Sequence, residues 1–300
     1  MTRTILTRTI FSAVLFACIM LFLWLGCPQY LMYQEQYQLF LFTKDYFINA
    51  IAVPGGVADY LSEFAVQFFY VPLYGSIAAA IILTLAQVFL GLSCRKCDLA
   101  DTAYVVASVP SLIFLGTFGD ENSLMSFAVA LMLTALFIFL YSLVKNKSIV
   151  TDILCLVVGF AILYWIAGAF AIVFVVAGGI IGRRPLAAVT GVVSAFLIVW
   201  GINMLWIEQY PLERLLKGLN YYRVPEIYPA WLYIIAVATL VAPLISLIKA
   251  ASKKARISFY LSVVVVAAVA IFYVRVSFDA GKSRVLAYDS IFRQCRWDDI

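Results

Sequence analysis

The sequence has no histidine and little charge. Of its 300 residues, 12% are Asp, Glu, Lys or Arg and 65% are apolar, whereas a soluble domain carries roughly 25% charged residues. The lack of histidine removes the commonest general base and the commonest metal ligand. Catalysis by this chain would therefore depend on carboxylates or on groups of the substrate.

Cysteine is also sparse, and the six cysteines are scattered rather than arranged as a disulfide framework. The motif "CRKC" gives Cys94 and Cys97 the spacing of a redox or zinc motif. Zinc usually needs four ligands, however, and Asp98 and Asp101 would complete only a poor site. We therefore interpret the pair as ordinary cysteines at a helix end and predict no metal site there.

Long apolar runs are what the sequence has instead. Runs of roughly twenty apolar residues recur along the whole chain, each long enough to cross a bilayer as a helix. The short alternating segments of a transmembrane barrel are absent. The basic start followed by an apolar core is similar to a signal sequence, but this core is long enough to span, so we predict an uncleaved first helix. The fold class is predicted to be an all-α polytopic membrane protein.

Hydropathy predicts about nine spans. They lie near 8–26, 72–93, 102–118, 123–144, 149–165, 168–182, 186–206, 229–249 and 257–275. The fifth and sixth come from one continuous apolar stretch, which we divide at Gly168.

Basic residues predict the orientation, because they mark the cytoplasmic side of membrane proteins. With the N-terminus inside and the C-terminus outside, every inner segment carries at least two of them. These are Arg3, Arg8, Arg95, Lys96, Lys145, Lys147, Arg183, Arg184, Lys249, Lys253, Lys254 and Arg256. Such dispersed charges argue against a nucleic-acid partner. The predicted location is the bacterial inner membrane, with membrane lipids as partners.

The first outer segment, residues 27–71, is long and rich in aromatic residues. A helix over "YQEQYQLFLF" would have a polar face and an apolar face. The polar face would hold Gln34, Glu35 and Gln38, and the apolar face Tyr33, Tyr37, Phe40 and Leu41. "VPGG" predicts a turn, followed by a second helix over 57–70 that leads into the next span at Pro72.

Two further outer segments carry charge. The short "GDEN" holds Asp120 and Glu121, and the segment 207–229 holds Arg214, Lys217 and Arg223. Carboxylates near basic residues at a lipid surface can handle a lipid-linked phosphate and activate an acceptor hydroxyl. They can also hold a divalent cation that neutralises a diphosphate leaving group, so a cation cofactor stays open.

These features resemble the GT-C superfamily, membrane glycosyltransferases that use polyprenyl-phosphate sugars. The shared features are an acidic residue after the first span, a long first outer segment and an acidic pair between the third and fourth spans. The resemblance covers roughly residues 1–230. It implies that Glu35, Asp120 and Glu121 are catalytic.

The same resemblance implies a binding role for the basic residues of the last outer segment. Arg214, Lys217 or Arg223 would contact the donor phosphate, and Gln34 and Gln38 would bind substrate beside Glu35. The first acidic residue of GT-C enzymes is often an aspartate, whereas here it is a glutamate between two glutamines. General base, metal ligand and structural residue therefore all remain open for Glu35.

A second resemblance is closer in sequence. "YQEQYQLFLFTKDYF", "PGGVADYLSEFAVQFF" and "AYDSIFRQCRWDDI" are similar to an uncharacterised family of Bacteroidota membrane proteins with a tetratricopeptide-like tail. The hydropathy pattern predicts a transmembrane domain over 1–275, and the similarity supports a separate domain after it. Residues 276–300 would then begin a soluble helical domain, cut off at residue 300, that could bind a protein partner.

Other interpretations stay open for every candidate residue. Glu35 is also consistent with a solvated residue on an interfacial helix, "GDEN" with a polar turn, and 207–229 with an interfacial anchor. The main alternative function is a non-enzymatic scaffold that presents a helical-repeat domain. A transporter ranks third, because acidic residues are scarce within the spans. In the transferase, Glu35 would lie within reach of Asp120 or Glu121, with spans one, three and four side by side.

Overall fold

The computed structural model describes residues 2–38, 40–120, 122–144, 148–206, 211–217, 221–224 and 227–278. The elements assigned in these ranges are helical, apart from one isolated antiparallel bridge between Ser123 and Tyr222. Seven helical segments among the described residues are long and apolar enough to cross a membrane: Thr4–Gly26, Pro72–Ser93, Ala100–Thr117, Met125–Leu143, Ile149–Gly182, Pro185–Leu205 and Lys254–Ser277. The predicted class, an all-helical multi-pass membrane protein, is confirmed.

The helices follow the apolar runs. The first half of the chain contains α1 (Thr2–Leu21, continued as a π-helix over Phe22–Gly26), α2 (Pro28–Tyr37), α3 (Lys44–Ile51), α4 (Gly56–Val66), α5 (Pro72–Ser93), α6 (Ala100–Val106), α7 (Val109–Thr117) and α8 (Met125–Leu143). The second half contains α9 (Ile149–Ala167), α10 (Ile172–Gly182), α11 (Pro185–Leu205), α12 (Leu212–Lys217), α13 (Ala230–Ile245) and α14 (Ser252–Ser277). Proline stands in the first turn of α2, α5, α7 and α11, where its missing N–H has no cost.

The stretch Ile149–Gly182 is an antiparallel hairpin rather than one long helix. Gly159 lies against Phe174, and Gly178 lies against Leu156. In a straight helix at 1.5 Å per residue, each pair would be separated by more than about 20 Å. The chain reverses at Gly168, where the sequence predicts a division. The total of nine crossings and their orientation stay predictions.

Gly168 is required by its backbone conformation and by its neighbours. Its φ of 76° and ψ of −155° lie in a region that is essentially restricted to glycine. A Cβ there would lie 2.8 Å from the Tyr221 hydroxyl oxygen and 3.5 Å from the Cα of Gly55. The hairpin turn therefore depends on a residue without a side chain.

Helix α5 is the centre of the bundle. Small buried residues such as Ala79, Ala80 and Ala86 let α1, α6, α7 and α8 approach it closely. Fully buried Gln87 accepts a hydrogen bond from the Ser12 hydroxyl (2.9 Å) and donates one to the Tyr104 carbonyl (3.0 Å). The expectation that spans one, three and four pack side by side is wrong for spans one and four, because α5 lies between α1 and α8 and contacts both.

Lipid-facing surfaces are found on the outermost helices. On α14, Phe272 is 71% exposed and Val264 65%, and on α11, Leu197 is 54% exposed. Large apolar side chains exposed along whole helices would be unfavourable in water. These helices therefore present a surface that suits the hydrocarbon core of a bilayer.

The C-terminal end of α14 lies at the same end of the bundle as α2. The ring of Phe278 packs against Phe22 and Tyr30 with centroid distances of 5.1 Å in both cases. The predicted tail domain over 276–300 lies, after Phe278, outside the described residues. Lys145, Lys147 and Glu121 lie outside them as well.

Replacing Gly168 with alanine should destabilise the protein. The new Cβ would be strained by the backbone and would displace the Tyr221 hydroxyl, at a cost of about 1–3 kcal/mol. The measurement is the midpoint of thermal unfolding in detergent.

Gly201→Ala is the matched control, because a Cβ at Gly201 meets no atom within 4 Å. Alanine favours a helix interior by up to about 1 kcal/mol, so this variant should be as stable as the parent or slightly more stable. Equal midpoints for the two variants would contradict the importance of the turn at Gly168.

Candidate functional site

Three segments that the sequence predicts to be outer meet at one end of the bundle. We call them together the outer platform: α2, residues 119, 120 and 122–124, and residues 221–224. The side-chain nitrogen of Gln34 donates to the Ser123 carbonyl at 3.1 Å. The backbone N–H of Arg223 donates to the Asn122 carbonyl at 2.9 Å. Residues far apart in sequence are therefore joined directly, as the transferase hypothesis requires.

The Tyr221 hydroxyl fixes the platform to the α9–α10 hairpin. It donates a hydrogen bond to the Ala167 carbonyl and accepts one from the Phe170 N–H at 3.0 Å. These two groups flank Gly168. The side chain is buried, and burial raises the pKa of Tyr221, so the phenol keeps its proton at neutral pH. Tyr221 thereby pairs two backbone groups that the helix break leaves without helical partners.

The remainder of the first outer segment also packs on this hairpin. The N–H of Gly55 donates to the Trp165 carbonyl at 2.9 Å, and the Trp165 indole donates to the Ile51 carbonyl at 3.0 Å. Gly55 itself has a φ of 83°. Helix α4, which follows it, packs on α8 and α9, and its Ser62 is fully buried. The second predicted outer helix is thus part of the bundle.

Arg223 lies over the end of α2. Its guanidinium carbon is 3.6 Å from the centroid of the Tyr37 ring, and the Tyr37 and Tyr33 hydroxyls are 2.6 Å apart. A hydrogen bond with Tyr37 raises the pKa of Arg223, so the group is a fixed cation. The Arg223 side chain is exposed, so its positive charge remains accessible to solvent or to a ligand.

Several buried polar atoms of the platform and of the residue after α2 have no hydrogen-bond partner among the described residues. They are Gln34 Oε1, Gln38 Oε1 and Ser123 Oγ. Gln34 is 7% exposed and Ser123 1%. An unpaired buried polar group costs about 1–3 kcal/mol. Pairing any of them with a further hydrogen-bonding group would remove this cost.

The predicted carboxylates occupy this region. Glu35 follows Gln34 on α2, is half-buried and forms no ion pair with a described residue. Asp120 is half-buried, and its Oδ1 accepts the Asn122 N–H at 3.1 Å. Glu121 lies outside the described residues. The Gln34–Ser123 contact brings the two acidic segments together, whereas the distance between the Glu35 and Asp120 carboxyls stays a prediction.

The predicted phosphate ligands lie in two places. Lys217, on α12, is paired with Glu213 and lies 4.5 Å from the Tyr228 ring centroid. Arg214 is half-buried on the same helix. Arg223 is on the platform itself. Helix α12 packs on the turn over Gly168–Ala171. The basic residues of α12 and Arg223 of the platform therefore flank the same hairpin turn.

The predicted helix over residues 33–41 is too long, because α2 ends at Tyr37. Gln38 is extended, and its carbonyl accepts a hydrogen bond from the Gln67 side chain at 3.2 Å. This extended link carries Phe40 into an aromatic cluster with Tyr60 and Phe64. Burial of the Phe40 ring, which is 7% exposed, overrides the helical pattern.

Sequence reasoning missed the pair formed by Glu63 and Tyr46. The Tyr46 hydroxyl donates a hydrogen bond to Glu63 Oε2. Burial raises the pKa of Glu63, and the hydrogen bond, which favours the carboxylate, offsets part of the rise. Burial also raises the pKa of Tyr46. The residues are seventeen positions apart on two helices, so no local pattern could have indicated the pair.

An apolar groove of about 200 Å³ lies beneath α12. It is lined by residues of α9, α10, α11, α12 and the turn between α9 and α10, among them Phe160, Tyr164, Val199, Leu215 and Leu216. The Tyr164 hydroxyl donates to the Leu215 carbonyl at 3.1 Å and so fixes α12 over the groove. The groove has the character of a site for a hydrocarbon chain.

Among the described residues, no three His, Cys, Asp or Glu side chains gather as metal ligands. Cys94 and Cys97 are free thiols, and burial raises the pKa of Cys94 to about 12. Neither is therefore a reactive thiolate at neutral pH.

Fold and outer platform together define the class: a multi-pass helical membrane protein with one polar, interlocked end. More particularly, the chain belongs to the family described as "Family of unknown function (DUF6057)", whose model matches residues 3–300. This agrees with the uncharacterised membrane-protein family expected from the sequence motifs. No match was found among curated proteins or among solved structures.

The Glu63–Tyr46 pair predicts a pH dependence of stability. A raised folded-state pKa means that the folded protein binds the proton more tightly than the unfolded chain. The stabilisation that protonated Glu63 gives the folded protein is complete below its ordinary pKa of 4.5. It is lost as pH rises through the pKa of Glu63 in the folded protein. Glu63→Gln keeps the acceptor for Tyr46 and removes the titration.

The pH dependence of stability is measured from the thermal unfolding midpoints of the parent and of Glu63→Gln at about pH 5 and about pH 8. The advantage of the variant over the parent should be larger at the higher pH. Asp45→Asn, at an exposed carboxylate of the same segment, should show no such trend. A larger advantage at the lower pH would show that the sign is wrong.

Proposed function

We propose that the chain is a GT-C-like membrane glycosyltransferase that moves a sugar from a polyprenyl-phosphate donor to an acceptor hydroxyl. The observation that carries the proposal is the meeting of the first, second and last outer segments at Gln34, Ser123 and Arg223. We further propose nine crossings of a bacterial inner membrane, with the N-terminus in the cytoplasm and the platform outside. The distribution of basic residues supports this orientation.

The apolar groove and α12 support a lipid-phosphate donor. A hydrocarbon chain in the groove beside Leu215 and Leu216 would place its phosphate at the surface of α12. Arg214 and Lys217 belong to this helix. Arginine and lysine bind phosphate oxygens through charge-assisted hydrogen bonds. Glu213 screens Lys217, so Arg214 is the stronger candidate for the contact.

The unpaired polar atoms support binding of a sugar. Gln34 Oε1 can accept a hydrogen bond, and Ser123 Oγ can donate or accept one. A sugar or acceptor hydroxyl placed between them would pair atoms that have no partner among the described residues. Such a ligand would lie next to Glu35 and near Asp120.

The carboxylates would supply the base. In the proposed step the acceptor oxygen bonds to the anomeric carbon of the sugar, and its proton passes to Glu35 or Asp120. The bond between the anomeric carbon and the phosphate oxygen breaks, and polyprenyl phosphate leaves, held by Arg214 or Arg223. A base in this position contributes typically about 10² to 10⁴ in rate.

Replacing either carboxylate should therefore abolish transfer but not donor binding. Full-length Glu35→Gln and Asp120→Asn are assayed in membranes with a polyprenyl phosphate that carries a radiolabelled hexose. The expected result is a fall in label transfer on the order of 10² to 10⁴. Stabilisation of the purified protein by polyprenyl phosphate should be unchanged in both variants.

Asp45→Asn is the matched control, since Asp45 is exposed at the start of α3 and outside the platform. It should transfer label at the parent rate. If the parent neither transfers label nor gains stability from polyprenyl phosphate, the transferase proposal is wrong.

One observation favours the scaffold as the second candidate. Arg223 is stacked on Tyr37, Lys217 is paired with Glu213, and backbone hydrogen bonds tie the outer segments together. A platform fixed in this way would also serve as a rigid base for a following domain. In that case Glu35→Gln would change neither lipid-phosphate binding nor any transfer.

A further inference from the structure

A second polar feature lies at the opposite end of the bundle. An open cavity of about 410 Å³ is lined by the ends of α5, α8 and α13, the first turn of α9 and the turn between α10 and α11. Helix α5 begins at Pro72, next to the outer segments, and ends at Ser93 in the cavity wall. We call this space the basic cavity. It shares no residue with the outer platform, so its role is independent of the proposed transferase.

Positive charge dominates the described wall of the basic cavity. Lys96, Arg183 and Arg184 face a single lining carboxylate, Asp152. Asp152 is 1% exposed, pairs with Arg184 at 2.9 Å and accepts the Tyr141 hydroxyl at 3.0 Å. Its charge is therefore neutralised within the wall. Lys96 and Arg183 therefore give the described wall of the cavity a net positive charge.

The lining thiols add no negative charge. Burial raises the pKa of Cys94 to about 12 and also raises that of Cys97. The Cys97 thiol donates to the Cys94 carbonyl at 3.0 Å. Both cysteines are therefore neutral members of the wall.

Arg183 occupies a strained position. Its φ of 53° makes it the one residue other than glycine with a positive φ in the described ranges. The N–H of Arg184 donates to the Gly179 carbonyl at 3.2 Å and that of Arg183 to Ile180 at 3.1 Å, which is the helix-ending pattern in which glycine is usual. A residue with a Cβ atom in this left-handed conformation destabilises the folded protein relative to glycine.

Internal contacts do not explain the choice of arginine. Among the described residues, its guanidinium makes one long hydrogen bond, to the Ser246 carbonyl at 3.4 Å. Strain of this kind is concentrated at functional sites. The side chain is exposed at the mouth of a cavity that already carries Lys96 and Arg184.

We propose that the basic cavity binds a phosphate group, carried by an anionic lipid headgroup or by a free phosphate compound. Guanidinium groups suit phosphate because they donate paired hydrogen bonds to two of its oxygens. The cavity volume falls in the range of about 300–1,000 Å³ that is usual for small-ligand sites. Basic pockets between membrane helices on the cytoplasmic side are known to bind phospholipid headgroups.

Arg183→Gly is the most informative variant. Glycine adopts a φ of 53° without strain, so the variant should unfold at the parent temperature or above it. A loss of binding then reports the side chain rather than misfolding. Lys96→Gln, at an exposed lysine outside any helix, provides a second test. Each should weaken binding by about tenfold or more.

The measurement is the thermal unfolding midpoint of the full-length, delipidated protein in neutral detergent. One arm titrates inorganic phosphate, and the other titrates phosphatidylglycerol against phosphatidylcholine. We expect the midpoint to rise with phosphatidylglycerol, with phosphate or with both, and the rise to need higher ligand concentrations in both variants. A response to the lipid alone identifies a headgroup site. A response to phosphate identifies a site open to free phosphate compounds.

Arg95→Gln is the matched control. Arg95 is in the same segment as Lys96, but its guanidinium lies over the Phe139 ring, and it is not part of the described cavity wall. This variant should respond as the parent does. The proposal is overturned if neither ligand raises the midpoint, or if Arg183→Gly and Lys96→Gln respond as the parent does.

Discussion

The hydroxyl of Tyr221 closes the turn on which the outer face of this protein depends. A chain that reverses at Gly168 leaves backbone groups without helical partners at a buried position, where each unpaired group is costly. Tyr221 pairs Ala167 and Phe170 at once, and its neighbour Tyr222 forms the bridge to Ser123. The same few residues therefore stabilise the hairpin and position the last outer segment against the second.

The two ends of the bundle have different characters. The outer platform combines half-buried carboxylates, polar atoms without a partner among the described residues and a nearby apolar groove, and the proposed transferase depends on these features. The basic cavity holds neutral thiols, a neutralised carboxylate and a strained Arg183, which suits binding of an anion rather than a reaction. Helix α5 connects the two ends and contacts most of the early spans.

Much of the fold could be predicted because it depends on local rules. Apolar runs located the membrane helices, Pro72 marked the start of α5, and a glycine within an apolar stretch marked the hairpin. The end of α2 at Tyr37 could not be predicted, since it depends on where Phe40 is buried. Three other features also depend on tertiary contacts and could not be predicted from local sequence. They are the Glu63–Tyr46 pair, the central place of α5 and the positive φ of Arg183. The gathering of outer segments was predicted from topology, but its individual contacts were not.

Hydrogen exchange of the parent and of Tyr221→Phe tests most directly whether one hydroxyl holds the outer platform together. The variant leaves the Ala167 carbonyl and the Phe170 N–H without their partner. If the account is right, exchange should accelerate in the turn and also in α2 and residues 119–124, because local opening spreads through elements that depend on one another. Tyr233→Phe, at an exposed tyrosine, should leave exchange unchanged. Acceleration confined to residues 167–171 would contradict the account.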